Sequence, residues 1–322
     1  MLLPNDRCLV AVSGGPDSLA LLLLLSKWAK REGWKLKVAY FHHQIRNSAD
    51  EEIAFMREWA ERLCLPFVSG TAPCPEMQKK EKLSLEEIAR RERYRFLKKE
   101  ASCFGSEKVA VGHHLDDQME TFFVNLIRGS GLSGLAGMKP KNGMPRSSRG
   151  MTIIRPLLCV TKQEILAYLA MQNMSYCKDE TNDSPSMLRN RVRHRLLPFL
   201  KKEFEWNLGK SLPRMMKVFS AEHQLLSAIE KEWGRHGIHW EKEGGASVGI
   251  QNFIHLDEAL QRRIIKKILD RFCLNRNYSG QHIEENRRLF FNPVSHKRVV
   301  LPEGVVARRL KNEIRWDKDC RK

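Results

Sequence analysis

"RCLVAVSGGPDSLALLLLLSKWAKREG", residues 7–33, sets a short apolar run, a polar glycine turn and a long leucine-rich run in succession. Residues 9–12 have the length of a buried strand, whereas the run from Leu19 onward is too long for one and predicts a helix. A strand feeding a helix through a glycine turn is the unit of an open parallel sheet, where ligands bind beyond the strands' carboxyl ends. Helix N-termini there present unpaired N–H groups, which suits phosphate. Gly14 and Gly15 let the backbone approach an anion closely, and Ser13 and Ser18 add hydroxyl donors. The Asp17 carboxylate cannot meet phosphate directly, but it suits a Mg²⁺ that bridges phosphate oxygens. A lone "SGG" would read as a capping turn. The full hexapeptide Ser13, Gly14, Gly15, Pro16, Asp17, Ser18 after a strand points to pyrophosphate. It lacks the Gly-Lys-Ser/Thr ending of a Walker loop, so ordinary γ-phosphoryl transfer is not expected.

Outward from this unit the alternation continues through "KLKVAYFHH", "ADEEIAFMREWAERLC", "LSLEEIARRERYRFLKKEASCFG", "KVAVGHH" and "DDQMETFFVNLIRG". Strand following helix following strand predicts an α/β fold, a doubly wound parallel sheet. Residues 139–150, "KPKNGMPRSSRG", read as a mobile basic loop. Beyond about residue 212 the texture turns to helical patterns such as "ALQRRIIKKILDRF". A second, smaller, largely helical domain is expected there, giving domains 1–205 and 206–322.

Lys and Arg number 56 against 38 Asp and Glu, a formal net charge of +18. Such a balance favours a polyanionic partner, nucleic acid first. No apolar run is long enough to span a bilayer, and the N-terminus lacks a signal peptide's charged flank, so a cytoplasmic protein without a membrane partner is expected. The eight cysteines form no Cys-x-x-Cys pair, which argues against a disulfide framework and against a zinc or iron–sulfur site.

Two further constellations carry chemistry. "GHHLDDQMET", residues 112–121, ends a strand at His113 and His114 and opens a helix with Asp116, Asp117 and Glu120. At helical spacing Asp116 and Glu120 share a face, with Asp117 about 100° round. These carboxylates read either as helix-dipole partners or as ligands for a second Mg²⁺ or an ammonium group. "MLRNRVRHRLLP", residues 187–198, places Leu188, Val192 and Leu196 on one stripe, with Arg189 and Arg193 on one flank and Arg191 and Arg195 on the other; Pro198 is expected to end the helix. In "EEIARRERY" the expected surface pairs are Glu86–Arg90 and Glu87–Arg91.

"SGGPDS" resembles the PP-loop of the N-type ATP pyrophosphatases, which adenylate a carbonyl oxygen of a substrate. Within that superfamily "FHHQIR", "EEIARRERY", "GHHLDDQMET", "RGSGLSGLAGM", "RPLL" and "DETNDSPSMLRNRVRHRLLP" resemble the tRNA(Ile)-lysidine synthetase family, in order and spacing, over the first 200 residues. The remainder resembles, more weakly, that family's first C-terminal domain, and longer members carry a further one. The resemblance implies that ATP adenylates the 2-carbonyl oxygen of the wobble cytidine of isoleucine tRNA, and that the ε-amine of free L-lysine then displaces AMP to form lysidine. It implies ATP binding by Ser13, Gly14, Gly15, Pro16, Asp17, Ser18, Arg46, Gly112 and His113, and catalytic roles for Asp17, Asp116, Asp117, Glu120, Arg189 and Arg193. Magnesium falls to Asp17, with Asp117 as a second ligand, and the C-terminal domain is expected to bind tRNA. The rival readings are a tRNA thiolase of the same superfamily, which generally relies on cysteine pairs, and a non-catalytic basic protein that grips nucleic-acid phosphates.

Overall fold

The run at residues 9–12 becomes the third strand of a six-stranded sheet in the computed structural model, flanked on both edges and covered on both faces. The structure describes residues 1–43, 49–81, 83–144, 150–174, 176, 188–204, 207–241, 244–273 and 278–318. It divides into two compact units, Met1–Phe219 and Ser220–Lys322.

The first unit runs β1 (Arg7–Val12), α1 (Pro16–Glu32), β2 (Lys35–His42), α2 (Ala49–Arg62), β3 (Phe67–Thr71), α3 (Cys74–Lys80), α4 (Leu85–Phe104), β4 (Lys108–Ala110), α5 (Leu115–Ile127), α6 (Leu132–Leu135), β5 (Lys141–Gly143), β6 (Thr152–Ile154), α7 (Lys162–Met171), α8 (Leu188–Arg191), a π-helical turn (Val192–Leu196) and α9 (Leu197–Glu203). Helix α10 (Leu208–Gly237) contains the division between the units. Strand order is β3-β2-β1-β4-β6-β5. Val10 pairs with Val38 on one side and Ala110 on the other, both in parallel register, and β5 alone runs antiparallel, on the edge. Alternate residues of β1 serve two cores. Cys8, Val10 and Val12 pack with the leucines of α1 and with Ile165 and Leu169 of α7, while Leu9 packs with Tyr94 and Leu97 of α4. A sheet buried on both faces needs such unbroken apolar strands, which is why the sequence there does not alternate with polar residues.

The chain leaves β1 towards β2 and leaves β4 towards β6, so the order reverses between β1 and β4. That crevice is where an open α/β sheet receives its ligand, and both chemical motifs end there.

Three local expectations are corrected. Pro198 does not end its helix, which continues to Glu203. The preceding π turn, with the Leu197 amide bonded to the Val192 carbonyl, lets the backbone accommodate a proline that lacks a donor. Part of the basic loop, residues 141–143, is the edge strand β5; residues 145–149 lie outside the described residues. Glu87 does not pair with Arg91 but caps α4 through Ser84, and Arg91 binds Glu81 and Glu92.

The second unit adds to its helices a five-stranded antiparallel sheet. Its elements are β7 (Ile238–Trp240), β8 (Ala246–Gly249), α11 (Ile250–Ile254), α12 (Glu258–Phe272), α13 (Gly280–Phe291), β9 (Arg298–Val300), β10 (Val305–Arg309) and β11 (Glu313–Lys318), in strand order β7-β8-β11-β10-β9. Its core stacks Phe253 on Phe290, with ring centroids 3.6 Å apart, and the buried Trp316 indole donates to Asn286 at 2.8 Å. The basic residues of α12 are engaged locally: Arg262 with Glu258 and Glu284, Arg263 and Lys267 with Glu230, Lys266 with Asp270, and Arg271 over the Trp240 ring. Among the described residues no helix is long and apolar enough to cross a membrane.

Candidate active site

The glycine turn is closed by its own serines. Gly14 sits at φ 78°, a conformation that costs glycine nothing. The Ser18 hydroxyl accepts from the Ser13 amide at 3.0 Å and donates to the Gly15 carbonyl at 3.0 Å, so it shapes the loop from within. Gly15 is the N-cap of α1 and Pro16 its first residue, where a missing N–H is harmless. Gly112, at the end of β4, lies against this turn. A Cβ there would come within 3.1 Å of the Asp17 backbone carbon and 3.2 Å of the Ser18 amide, so any larger residue would have to push the two motifs apart by a few tenths of an ångström.

The acidic helix opens beside the loop. Asp117 Oδ2 accepts from the His114 amide at 3.0 Å, capping α5. The buried His114 ring stands among three carboxylates: Nδ1 is 3.4 Å from Asp116, and Nε2 is 3.6 Å from Asp117 and 3.7 Å from Asp17. Burial opposes a charge on this imidazole, but Asp116, Asp117 and Asp17 outweigh it and raise its pKa above the ordinary 6.5. Asp116 is pulled the other way: burial would raise it, but His114 and the Lys162 amide hold it below the usual carboxylate range.

Both arginines assigned to this site are there. Arg189 Nε donates to Glu120 at 2.6 Å and its Nη2 to Asp117 at 2.9 Å; Arg193 Nε donates to Glu120 at 2.5 Å and its Nη2 at 3.1 Å. Burial would lower Arg193, but Glu120 and Asp117 raise it. Asp117 and Glu120 therefore act as the pair, one helical turn apart, and Asp116 turns instead to α7. The expected Asp116–Glu120 face is not the one in use. The stripe of Leu188, Val192 and Leu196 packs on Phe122 and Phe123 of α5, which brings the arginines to these carboxylates.

On the other side of His114 the chemistry reverses. His113 Nδ1 accepts from the buried Arg155 at 3.3 Å. Burial pushes its pKa down to about 4, with Asp117 opposing and Arg155, Arg93 and Arg189 adding to the fall. His43 is likewise pushed down to about 4 by burial and by Arg93 and His42. Arg93 and Arg90 flank the Tyr94 ring, 5.7 and 5.0 Å from its centroid. Arg46 lies outside the described residues.

Sequence reasoning missed Lys162. Its ammonium binds Asp17 Oδ1 at 2.6 Å and its amide donates to Asp116 at 2.7 Å. The signal was present as the capping box Thr161–Glu164, which makes Lys162 the first residue of α7, but no spacing rule joins it to a loop 145 residues earlier. Arg155 and the central place of His114 were also unread.

The oxygen donors suit magnesium, which takes one or two carboxylates along with water and phosphate oxygens. Asp17 and Asp117 approach the same His114 nitrogen, so they fall on one side of the ring and fit that requirement. Among the described residues no three His, Cys, Asp or Glu side chains form a metal cage of their own.

The PP-loop domain family profile matches residues 3–200. The tRNA(Ile)-lysidine synthase of Geobacter sulfurreducens is 34% identical over 98% of this chain and 65% of that protein. Those of Symbiobacterium thermophilum and Dehalococcoides mccartyi are 37% and 41% identical, over 84% and 94% of this chain and 56% and 64% of those proteins. The chain thus spans less than two thirds of these relatives' length. Among solved structures, the U34-tRNA thiolase NcsA from Methanococcus maripaludis with its [4Fe-4S] cluster superposes with a TM-score of 0.57 at 20% identity, covering 68% of this chain and 74% of that one. That likeness speaks to the fold alone.

Proposed function

The chain belongs to the PP-loop domain family, and on that premise we propose that it ligates free L-lysine to the wobble cytidine of isoleucine tRNA, using ATP and releasing AMP and pyrophosphate. The observation that carries this reading is the meeting, at the sheet's switch point, of a pyrophosphate-type loop with a carboxylate cluster ringed by cations. In the first step the cytidine O2 attacks the α-phosphorus and pyrophosphate leaves. The loop amides and the α1 N-terminus meet the departing charge, and magnesium held by Asp17, with Asp117 beside it, would neutralise phosphate oxygens. In the second step the lysine ε-nitrogen attacks C2, the C2–O bond breaks and AMP departs with that oxygen. The amine must first lose a proton. Glu120, nearly fully buried and bound by two arginines, is a positioning group, whereas Asp116 is the most exposed carboxylate of α5 and suits the base. Arg189 and Arg193, bound to Glu120 and Asp117, hold those carboxylates in place beside the nucleotide. The basic C-terminal unit supplies tRNA affinity.

Nucleoside mass analysis of isoleucine tRNA, after incubation with this chain, ATP, Mg²⁺ and lysine, should find lysidine, with one pyrophosphate per product. No lysidine, despite intact pyrophosphate release, would reject the lysine acceptor and keep the adenylation.

A further inference from the structure

The geometry points to Lys162 as a phosphate-binding cation that waits on Asp17 until nucleotide and magnesium arrive together. This rests on the ATP-dependent reading above. The base of Lys162 is fixed: its amide is held by Asp116 at 2.7 Å, and the capping box of Thr161 and Glu164 sets the start of α7 around it. Its ammonium is only partly buried. The side chain is 36% exposed, and among the described residues its ionic partner is Asp17, at 2.6 Å. A pair so open to solvent is weak, so releasing it costs little. A divalent ion on Asp17 would displace the ammonium by like-charge repulsion. The nearby arginines 189 and 193 are already committed to Glu120 and Asp117. Among the described residues Lys162 is then the cation that pairs with the loop's own carboxylate, and the anion that enters with the metal is a polyphosphate. A compact point charge on a flexible stem suits that transfer.

A purely structural role, pinning α7 to α1, makes a different forecast, and the full chain distinguishes them without tRNA or lysine. Lys162→Met should bind Mn²⁺ alone more tightly than the natural chain, by at least threefold in a paramagnetic titration, because the competing ammonium is gone. The same variant should bind MgATP at least tenfold more weakly by calorimetry, with the ligand-free melting temperature within about 2 °C of the natural chain. Lys162→Arg should recover most of the MgATP affinity. Unchanged MgATP affinity in Lys162→Met would overturn the proposal, as would a parallel loss of Mn²⁺ affinity, MgATP affinity and melting temperature. A natural chain that binds MgATP but makes no lysidine removes the proposed reaction and leaves this inference standing; one that binds no MgATP removes both.

Discussion

His113 and His114 are adjacent in sequence and divide the site into two regions of opposite character. Around His114 stand Asp17, Asp116 and Asp117; the Lys162 ammonium answers Asp17, the Lys162 amide Asp116 and Arg189 Asp117, while Glu120, one turn further along α5, holds Arg189 and Arg193. Around His113 stand Arg93 and Arg155, with His43 also kept neutral by burial and positive neighbours. The first region is a closed charge network that an incoming cation must break into. The second is positive, with imidazoles that add no charge of their own. Consecutive residues can serve both because a strand end followed by an N-cap turns successive side chains apart.

The largest expected effect breaks the acidic region at its loop. Asp17→Asn should reduce tRNA-dependent pyrophosphate release by far more than tenfold, a barrier increase above about 1.4 kcal/mol, with tRNA affinity nearly unchanged; retention of a tenth of the rate would remove the metal role. Next comes the buried carboxylate. Glu120→Gln leaves two guanidinium groups short of their partner and should cost about 2–3 kcal/mol in urea unfolding, below the usual buried-pair figure because both arginines are partly exposed. A loss under about 0.5 kcal/mol would mean that the network carries no stability.

Smaller effects sharpen the contrast. Arg193→Lys keeps the charge but loses the two-pronged hold on Glu120, and should slow single-turnover ligation several-fold, while the exposed Arg191→Lys should be nearly silent. Equal behaviour would dissolve the division of this helix into two flanks. The smallest effect is in titration. By histidine NMR, His114 should lose its proton above pH 6.5 and His113 near pH 4. Because His114 is raised on folding, its contribution to stability is complete below pH 6.5 and fades as pH rises through its folded value; because His113 is lowered, stability falls as pH drops from about 6.5 to 4. Coincident midpoints would erase the comparison.

Much of this was legible in the sequence. β1, the glycine turn and α1 follow from an apolar run too short for a helix and another too long for a strand. The reading of Asp17 followed from local geometry; the apolar stripe set Arg189 and Arg193 on one flank and Arg191 and Arg195 on the other, and the family resemblance chose the first pair for the site. What escaped reading needed a third dimension. The choice of Asp117 over Asp116 as partner of Glu120 depends on where α8 docks, and Lys162 reaches Asp17 only once α7 packs on α1. The five-stranded sheet of the second unit was missed because its strands run only three to six residues, too short for alternation to show above a helical background.

The π turn at Val192–Leu196 bears on how this chain tolerates changes of length. An extra residue in one helical turn resets the phase of everything after it. Removing any single residue of that turn would restore an ordinary helix and rotate Leu197 and Leu200 by about 100° away from the packing they make. Substitutions on the outer side of this segment are therefore admissible where a one-residue deletion is not, although both fall on partly exposed helix. Insertions and deletions belong elsewhere, in connections whose backbone hands no phase on to the residues that follow.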